Sequence, residues 1–582
     1  MRKSVRLLAF AGLCSVLLHF RQPAKVIEEA EHPPIYPADY FRLPIDPVDL
    51  RLSGTFGELR DNHFHSGIDL SGKIGQPIYA AAEGYIYRIR VQEGGYGNAL
   101  YLRHPNGYTT VYAHLDRFAP AIAQYVKTEQ YRRERFEVDL YPGDKAFVVR
   151  KGEVIGTMGN SGSSEGAHLH FEIRRTADQK ALNPLLFRLP IADREPPELL
   201  ALKVYYLNDR RETIDTQIFT LERRPDDTYG PKGGDTLTLS AWRVGFSVRA
   251  FDRTAANALN KNGLFSLRLL ADGRPAFGWR AQELDFDETR YLNAHTDFAA
   301  RKRTGAWFQR CYILPGDRLS QYERAENMGV VPLYRGKPTL ILIQAADAHG
   351  NSSALRFWVQ RGEVSPAGAV AYYRPLAWDA AHRIEIEDLA LSLPVGTLYE
   401  TLYFQYAVSP NSAGSPAPIY HVHNEETPLH RYGTLSLRPN ALPAGLEAKA
   451  VILYLDGRQP ESVGGKWVGG AVEARIRALG RYTVAVDTVP PTIRPAVFAT
   501  DLRNKPLMSF SISDNFKTGD GARGLRYRAT VDGKWVLFEY DRKSGLLVHH
   551  FDDRIPPGEH VLQLSVTDDR ENTTAFERKF IR

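Results

Sequence analysis

The chain has 582 residues, of which 43% are hydrophobic and 24% are charged, and its formal net charge is +6. This length is too great for one hydrophobic core, so we expect three or four domains. Four basic residues and no acidic ones lie in the first 22 positions. The rest of the chain is therefore nearly neutral, and its charge does not favour a nucleic-acid partner.

The N-terminus has the pattern of a signal peptide or an N-terminal anchor, in residues 1–22. Its basic start precedes the apolar run Leu7–Phe20, which is too short for a comfortable membrane span. Cys14 suggests a lipoprotein signal, but Leu13 stands where a small residue is expected. We therefore predict export, with membrane contact only if the segment stays uncleaved. Cys311, the other cysteine, is predicted to be a small buried apolar residue.

Residues 40–190 are predicted to form a first domain of short strands broken by turn residues. Asn106-Gly107, between two apolar runs, indicates a hairpin turn. A charged stretch at about residues 117–150 interrupts this pattern, and its spacing indicates a helix followed by a short extended piece. We expect this stretch to be a helical insert in a β-rich domain.

Three short segments of this domain carry imidazole and carboxylate groups: HFHSGID at 63–69, YAHL at 112–115 and HLHFE at 168–172. Residues two apart in a strand face the same way, so His168 and His170 should point into one site. Catalytic zinc typically takes three ligands from His, Asp or Glu and keeps one position for water. At this level, His63, His65 and Asp69 all remain possible ligands.

The rest of the chain is predicted to be about three β-sandwich (Ig-like) modules, at residues 191–362, 363–487 and 488–582. We call them the first, second and third modules. An internal repeat supports the first and third, because D-x-x-P-P at 193–197 recurs at 487–491. A second repeated motif, D-x-x-x-N-[ST]-[ST]-A, begins at Asp347 and at Asp568. The predicted fold class is therefore mostly β.

Two further groups in these modules could hold a metal. HVHNEETPLH at 421–430 contains another His-x-His, although no companion motif lies in its module. The cluster Asp568, Asp569 and Asn572 could hold calcium. The simpler expectation for the cluster is that these side chains bond their own backbone in a turn.

The motifs HSGID, YAHL and GNSGSSEGAHLHFE, in this order, resemble the lysostaphin-type (LytM-like) zinc metallopeptidases, which are peptidoglycan endopeptidases. The resemblance covers about residues 50–187, and the insert and β modules resemble a large Bacteroidetes-like subgroup. It implies one Zn²⁺ per chain, held by His65, Asp69 and His170. It also implies that His114 and His168 are catalytic, without deciding which of them is the general base.

The resemblance further implies an exported endopeptidase that hydrolyses peptide cross-links of peptidoglycan by attack of a zinc-activated water. We expect it in the periplasm or envelope of a Gram-negative-type cell, acting on peptidoglycan peptides. Envelope proteins could bind through the β modules, and Glu172 could fix an imidazole tautomer or be an exposed strand residue. Ala167 departs from the family's usual proline, and the insert follows directly after His114.

Two other functions remain open. Gly57, His63, His65 and Asp69 nearly fit the first cupin motif, which would make His63 a metal ligand, but no second cupin motif follows. The other alternative is a catalytically weak relative that binds the cell wall or regulates an amidase. Such relatives lose zinc ligands, whereas this chain keeps the complete set.

Overall fold

In the computed structural model, residues 36–254, 260–323, 326–363 and 371–582 are described. The predicted signal or anchor segment, residues 1–22, lies outside them. Within the described ranges, no helix is both long and apolar enough to cross a membrane. The secondary structure is mostly β, which confirms the predicted fold class.

The N-terminal domain is built on a ten-stranded sheet with the central order β1-β4-β13-β8-β7-β6-β10 and on a smaller sheet, β5-β12-β9. Its strands are β1 (Leu52–Gly54), β2 (Leu59–Arg60), β3 (His63–Phe64), β4 (Ile68–Ser71), β5 (Pro77–Tyr79), β6 (Gly84–Val91), β7 (Ala99–Arg103), β8 (Tyr108–Ala113), β9 (Leu115–Phe118), β10 (Val138–Leu140), β11 (Val148–Val149), β12 (Val154–Met158), β13 (His168–Arg175) and β14 (Ala181–Leu182). The predicted hairpin is confirmed, because β7 and β8 pair antiparallel around Gly107, whose φ is +84°.

The predicted helical insert is also confirmed. Helix α1 (Pro120–Arg133) begins with proline at its first position and is capped at its C-terminus by Glu134, which has the left-handed conformation. Ile122, Val126 and Gln130, spaced four apart, form its buried face. The short extended piece that follows is β10, which pairs with β6 at the edge of the large sheet.

The first module contains an eleven-stranded sheet and two short helices, α2 (Leu292–His295) and α3 (Phe298–Thr304). Its strands are β15 (Glu198–Leu207), β16 (Thr213–Arg223), β17 (Tyr229–Pro231), β18 (Thr236–Leu239), β19 (Arg243–Phe251), β20 (Ser266–Ala271), β21 (Arg274–Arg280), β22 (Glu283–Leu284), β23 (Gln309–Arg310), β24 (Val331–Pro332), β25 (Thr339–Ala346) and β26 (Ser352–Arg361). Cys311 is fully buried and unpaired, as predicted.

The second module has a five-stranded sheet and five strands of a six-stranded sheet, and these share one hydrophobic core. The sixth strand, Lys517–Thr518, comes from the third module. Its strands are β27 (Arg374–Leu376), β28 (His382–Ile386), β29 (Leu389–Leu393), β30 (Leu402–Phe404), β31 (Tyr406–Ser409), β32 (Ile419–Val422), β33 (Pro428–Leu437), β34 (Ala450–Tyr454), β35 (Glu461–Ser462), β36 (Lys466–Val468), β37 (Ala471–Ala478) and β38 (Gly480–Val486).

The third module has two four-stranded sheets, β39-β40-β45-β44 and β43-β42-β46-β47, around a core of its own. Its strands are β39 (Thr492–Val497), β40 (Leu507–Ser513), β41 (Lys517–Thr518), β42 (Arg526–Val531), β43 (Lys534–Trp535), β44 (Glu539–Asp541), β45 (Leu546–His550), β46 (Glu559–Thr567) and β47 (Thr573–Ile581). The Ig-like description and the domain boundaries remain predictions.

Candidate metal centre

Three neighbouring strands bring the three sequence segments together. β13 lies between β4 and β8, with His170 opposite Asp69 on one side and opposite Ala113 on the other. His114 is the first residue after β8, and His168 is the first residue of β13. Segments that lie far apart in the sequence therefore place their side chains at one end of the sheet.

His65, Asp69 and His170 form a closed triangle of ligand atoms. Asp69 Oδ1 lies 3.0 Å from His65 Nε2 and 3.0 Å from His170 Nδ1, and the two nitrogens are 2.9 Å apart. Tetrahedral zinc with bonds of about 2.0–2.1 Å separates its ligands by about 3.3 Å. The buried triangle therefore has a size and donor set that fit a zinc ion.

The other nitrogen of each imidazole already has a partner. His65 Nδ1 donates to the carbonyl oxygen of Thr55 at 2.8 Å, and His170 Nε2 donates to Glu172 Oε1 at 2.9 Å. A metal-binding imidazole typically has such a partner on its second nitrogen, which fixes the tautomer. Both rings are therefore oriented with the ligand nitrogen toward the triangle.

Glu172 is fully buried rather than exposed, and further hydrogen bonds hold it in place. Its Oε1 accepts from the hydroxyls of Ser66 and Tyr96, each at 2.6 Å, and its Oε2 accepts from Arg174 Nε at 2.5 Å. Burial raises the pKa of Glu172, but Arg174 and His170 outweigh it and hold that pKa below its usual value. Sequence reasoning missed these partners, although Arg174 lies two residues from Glu172 on the same strand face.

The charges around the triangle favour a cation. Burial raises the pKa of Asp69, but the imidazoles of His65 and His170 outweigh it and hold that pKa well below its usual value. Burial lowers the pKa of His170, whereas Asp69 and Glu172 raise it to about 9. Arg60 Nη2 donates to Asp69 Oδ2 at 3.0 Å, which leaves Oδ1 for the triangle. The site is therefore arranged to hold positive charge.

His114 and His168 lie beside the triangle as a second pair, with their ring centroids 4.8 Å apart. Each Nδ1 lies within hydrogen-bonding distance of a backbone carbonyl, Ser161 at 2.8 Å and Gly166 at 2.9 Å. His168 Nε2 is 3.6 Å from Asp69 Oδ1. Burial, with the neighbouring imidazoles, lowers the pKa of His114 to about 3, and burial also lowers that of His168. Both rings are therefore neutral and keep Nε2 as a proton acceptor.

The loop that supplies these carbonyls also contacts the third module. Lys543, between β44 and β45, donates to the carbonyl oxygens of Asn160 at 2.6 Å and Ser164 at 2.8 Å. Ser161 and Gly166, the partners of the two histidines, belong to the same loop. Sequence reasoning missed Lys543, since a lysine almost four hundred residues away carries no local signal.

A cleft of about 610 Å³ adjoins this loop. It is bordered by α1 and by the third module, so the insert lies at its edge. The lining includes charged and polar side chains from both parts of the chain: Asn98, Arg117, Lys127, Ser161, Glu539 and His550. Charge of both signs therefore faces an open space beside Ser161, whose carbonyl oxygen contacts His114, although neither His114 nor His168 lines the cleft.

The remaining histidine candidates lie outside the triangle. His63 is exposed, and its Nδ1 contacts the carbonyl oxygen of Asp61 at 2.9 Å. His421 contacts Ser409, and His423 contacts Thr427. Neither of these two belongs to a metal-ligand cluster of the described residues. In the cluster of Asp568, Asp569 and Asn572, the Asp568 carboxylate accepts hydrogen bonds from the backbone N–H groups of Arg570 and Asn572. This turn hydrogen bonding is the simpler of the two expectations from the sequence.

Residues 63–131 and 138–184 match the model of peptidase family M23. The N-terminal domain is an M23 domain. It is of the LytM and lysostaphin type, which confirms the resemblance of its motifs. Residues 373–487, in the second module, match the model of the Zu5-like domain.

Several curated relatives match the M23 domain. DD-carboxypeptidase/endopeptidase Mpg of Neisseria meningitidis is 36% identical over 152 residues, which are 25% of this chain and 29% of Mpg. Peptidoglycan DD-endopeptidase ShyC of Vibrio cholerae is 31% identical over 27% of this chain and 29% of ShyC. Murein hydrolase activator NlpD of Escherichia coli is 31% identical over 24% of this chain and 30% of NlpD. The chain thus spans less than a third of the length of these relatives.

Among solved structures, the chain is similar to the catalytic domain of the antimicrobial peptidase lysostaphin from Staphylococcus simulans. The two are 22% identical, and the match covers 24% of this chain and 92% of that chain, with a TM-score of 0.19.

Proposed function

We propose that this protein is an exported zinc endopeptidase that hydrolyses peptide cross-links of bacterial peptidoglycan. The proposal depends above all on the triangle of His65, Asp69 and His170, whose ligand atoms are 2.9–3.0 Å apart. Thr55 and Glu172 already occupy the other nitrogens of the two rings. The cluster is buried, and the tautomers of its two imidazoles are fixed by hydrogen bonds. These features are typical of a metal site and are not expected of side chains that meet by chance.

We assign the three triangle residues as ligands of one zinc ion. Zinc bound there would make a water nucleophilic near neutral pH and polarise a substrate carbonyl. His114 and His168 are neutral and offer Nε2 beside the triangle. Either one can accept a proton from the attacking water and pass it to the leaving amine nitrogen, which is general acid–base catalysis. Glu172 acts through His170, by holding its ring.

The substrate we propose is a stem-peptide cross-link, such as a D-alanyl–diaminopimelate bond. Two observations support this substrate: the relatives Mpg and ShyC are named as a DD-carboxypeptidase/endopeptidase and a DD-endopeptidase, and the cleft lined by Ser161 carries charges of both signs. The basic and apolar segment at residues 1–22 supports export to the envelope of a Gram-negative-type cell. Envelope proteins remain proposed partners of the β modules.

The test combines metal content with product analysis. Purified protein is analysed for zinc by mass spectrometry and incubated with isolated peptidoglycan, and the released muropeptides are identified by mass. We expect one zinc per chain and cleavage within the peptide cross-links. The Asp69→Asn variant should lose both, while the variant of the exposed neighbour, Asp61→Asn, should keep both. Cleavage of the sugar chain or of the lactyl-amide bond would contradict the proposal.

A second candidate function is activation of another murein hydrolase, because the relative NlpD is named as an activator. The complete ligand triangle favours the enzyme over this candidate. The two are separated by adding the protein to peptidoglycan with and without a purified amidase. Zinc-free protein that releases no peptide by itself but stimulates the amidase would favour activation.

A further inference from the structure

Two buried aspartates and a histidine meet in the first module, away from the M23 site, and the charges of both aspartates act on a third buried aspartate, Asp252. Asp193 precedes β15, Asp252 directly follows β19, and Asp347 directly follows β25. Ligand atoms of Asp193, Asp347 and the exposed His349 all lie within 4.8 Å of one another. The aspartates are only 9%, 2% and 4% exposed, respectively. We call this group the aspartate pocket.

The hydrogen bonds of the pocket are incomplete. Asp347 is satisfied by its own turn, since its Oδ1 accepts from the N–H groups of His349 and Asn351 at 2.8 and 2.9 Å. In contrast, Asp193 Oδ2 and Asp252 Oδ1 are buried without any hydrogen-bond partner. His349 Nδ1 is 3.9 Å from Asp193 Oδ2, which is too long for a hydrogen bond. Two buried carboxylate oxygens therefore lack compensation, which is costly in a protein interior.

The electrostatics agree with this geometry. Burial, together with the negative charges of Asp347 and Asp193, raises the pKa of Asp252 to about 8. Burial also raises the pKa of Asp193, and Asp347 adds to the effect. The negative charges of neighbouring carboxylates thus disfavour ionisation of Asp252 and Asp193, and a bound cation would relieve this.

A related acidic cluster occurs in the third module. Ligand atoms of Asp487, Asp514 and Asp568 lie within 4.8 Å of one another. Asp487 precedes β39, Asp514 directly follows β40, and Asp568 directly follows β46. Asp487 and Asp568 correspond to Asp193 and Asp347 in the sequence repeat, and Asp514 resembles Asp252 only in directly following a strand of its module. A pair of aspartates that occurs twice in one chain is not an accident of one loop.

We propose that the aspartate pocket of the first module binds a divalent cation of the calcium type. Calcium takes hard oxygen ligands in irregular geometry, which suits carboxylates from three different strand ends. Asp193 Oδ2 and Asp252 Oδ1 are the oxygens that would gain a partner. The ion would tie the entry of β15 to the ends of β19 and β25, and so stabilise the module that packs against the M23 domain.

The experiment measures calcium binding by the full-length protein. Buffers are passed over a chelating resin before the protein is added, so that no soluble chelator removes zinc from the M23 site. Calcium is then titrated to millimolar concentration, with bound calcium measured by equilibrium dialysis and the melting temperature by calorimetry. We expect saturable binding and a rise of several degrees in the melting temperature.

The decisive variant is Asp252→Asn, compared with Asp287→Asn at an exposed position of the same module. Because Asp252 Oδ1 has no hydrogen bond to lose and its charge is repelled, the variant should be at least as stable as the wild type without calcium. It should bind one calcium fewer per chain and show a smaller thermal shift. Asp287→Asn should behave as the wild type.

Three results would overturn the proposal: no calcium binding by the wild type at millimolar concentration, equal stoichiometry in Asp252→Asn and wild type, or a thermal shift with magnesium and none with calcium. Peptidoglycan cleavage is measured separately on the same samples. The calcium site can thus fail while the proposed endopeptidase stands, and the reverse also holds.

Discussion

At the level of single residues, the two nitrogens of each imidazole in the M23 site have different partners. In His65 and His170, one nitrogen bonds Thr55 or Glu172 and the other faces the ligand triangle. In His114 and His168, one nitrogen bonds a backbone carbonyl and the other remains a proton acceptor. His65, like His114 and His168, bonds a backbone carbonyl, so the proposed ligand histidines differ from the proposed catalytic ones in the nitrogen that faces the triangle.

Separate alanine variants of His63 and His65, which lie two residues apart, test the ligand assignment. The His65→Ala variant should lose zinc and peptidoglycan cleavage, because it removes one corner of the triangle. The His63→Ala variant should keep both, because His63 is exposed and, within the described residues, its ring makes a hydrogen bond to the carbonyl of Asp61 and not to the triangle. Zinc per chain is measured by mass spectrometry after dialysis. Loss of zinc from His63→Ala alone would favour the cupin-like alternative.

The Glu172→Gln variant tests whether the carboxylate that bonds His170 strengthens zinc binding. The substitution keeps the shape but removes the charge that holds His170 and pairs with Arg174. We expect zinc to bind about 10–100-fold more weakly, as is typical when such a partner is lost. Affinity is measured by competition with a chromophoric chelator. Glu165→Gln, at an exposed position in the loop before β13, is the control, and equal affinities in the two variants would refute the role of Glu172.

At the level of elements, the insert provides a docking surface for the third module. Tyr131 of α1 packs edge-on against Trp535 at 5.1 Å, and Lys127 pairs with Asp552 at 2.5 Å. Phe136, just after α1, packs against the core of the third module. This docking places Lys543 on the loop that holds His114 and His168. The insert thus connects the third module to the loop that contacts His114 and His168.

Lys543→Met tests this connection. The variant keeps the length of the side chain but loses both hydrogen bonds to the loop, so the histidine pair should be less well positioned. We expect kcat to fall about tenfold, equivalent to roughly 1.4 kcal/mol, with zinc content and KM little changed. The control is Lys579→Met at an exposed position of the same module. A higher kcat in Lys543→Met would mean that the module restrains the enzyme instead.

At the level of the whole molecule, the M23 domain and the first module share one hydrophobic core. Phe56 and Phe64 of the M23 domain belong to the same buried cluster as Leu202, Phe246 and other residues of the first module. Strand β22 of the first module also pairs with β14 of the M23 domain. The third module, in contrast, has its own core. We therefore expect the first two parts to unfold together.

Phe64→Ala tests this expectation. Phe64 is 1% exposed and stacks on Trp279 at 6.1 Å, so its truncation leaves a cavity between the two parts. The cost should be about 3–5 kcal/mol. Calorimetry should show one shared transition of the M23 domain and first module that moves to lower temperature. The exposed Tyr334→Ala is the control. Two transitions, of which only one shifts, would contradict a shared core.

The sequence by itself determined the mostly β fold and the helical insert, and it supplied the candidate residues of the M23 site. This information is local, because it lies in turn residues, in the alternation of strands and in closely spaced histidines. In addition, HSGID, YAHL and HLHFE occur in the order found in a known family. The sequence could not decide between His63 and His65 without that resemblance. It also left Glu172 open, either as a partner of an imidazole or as an exposed strand residue.

Only the tertiary structure decided which distant groups meet. Strand pairing put His170 opposite Asp69, buried Glu172 against His170 and Arg174, and left His63 exposed. Docking of the third module on α1 brought Lys543 to the loop of Ser161 and Gly166. The physical reason is that strand register and module docking depend on side-chain packing summed over many residues. A short motif records the chemistry of its own side chains but not the partners that packing brings to them.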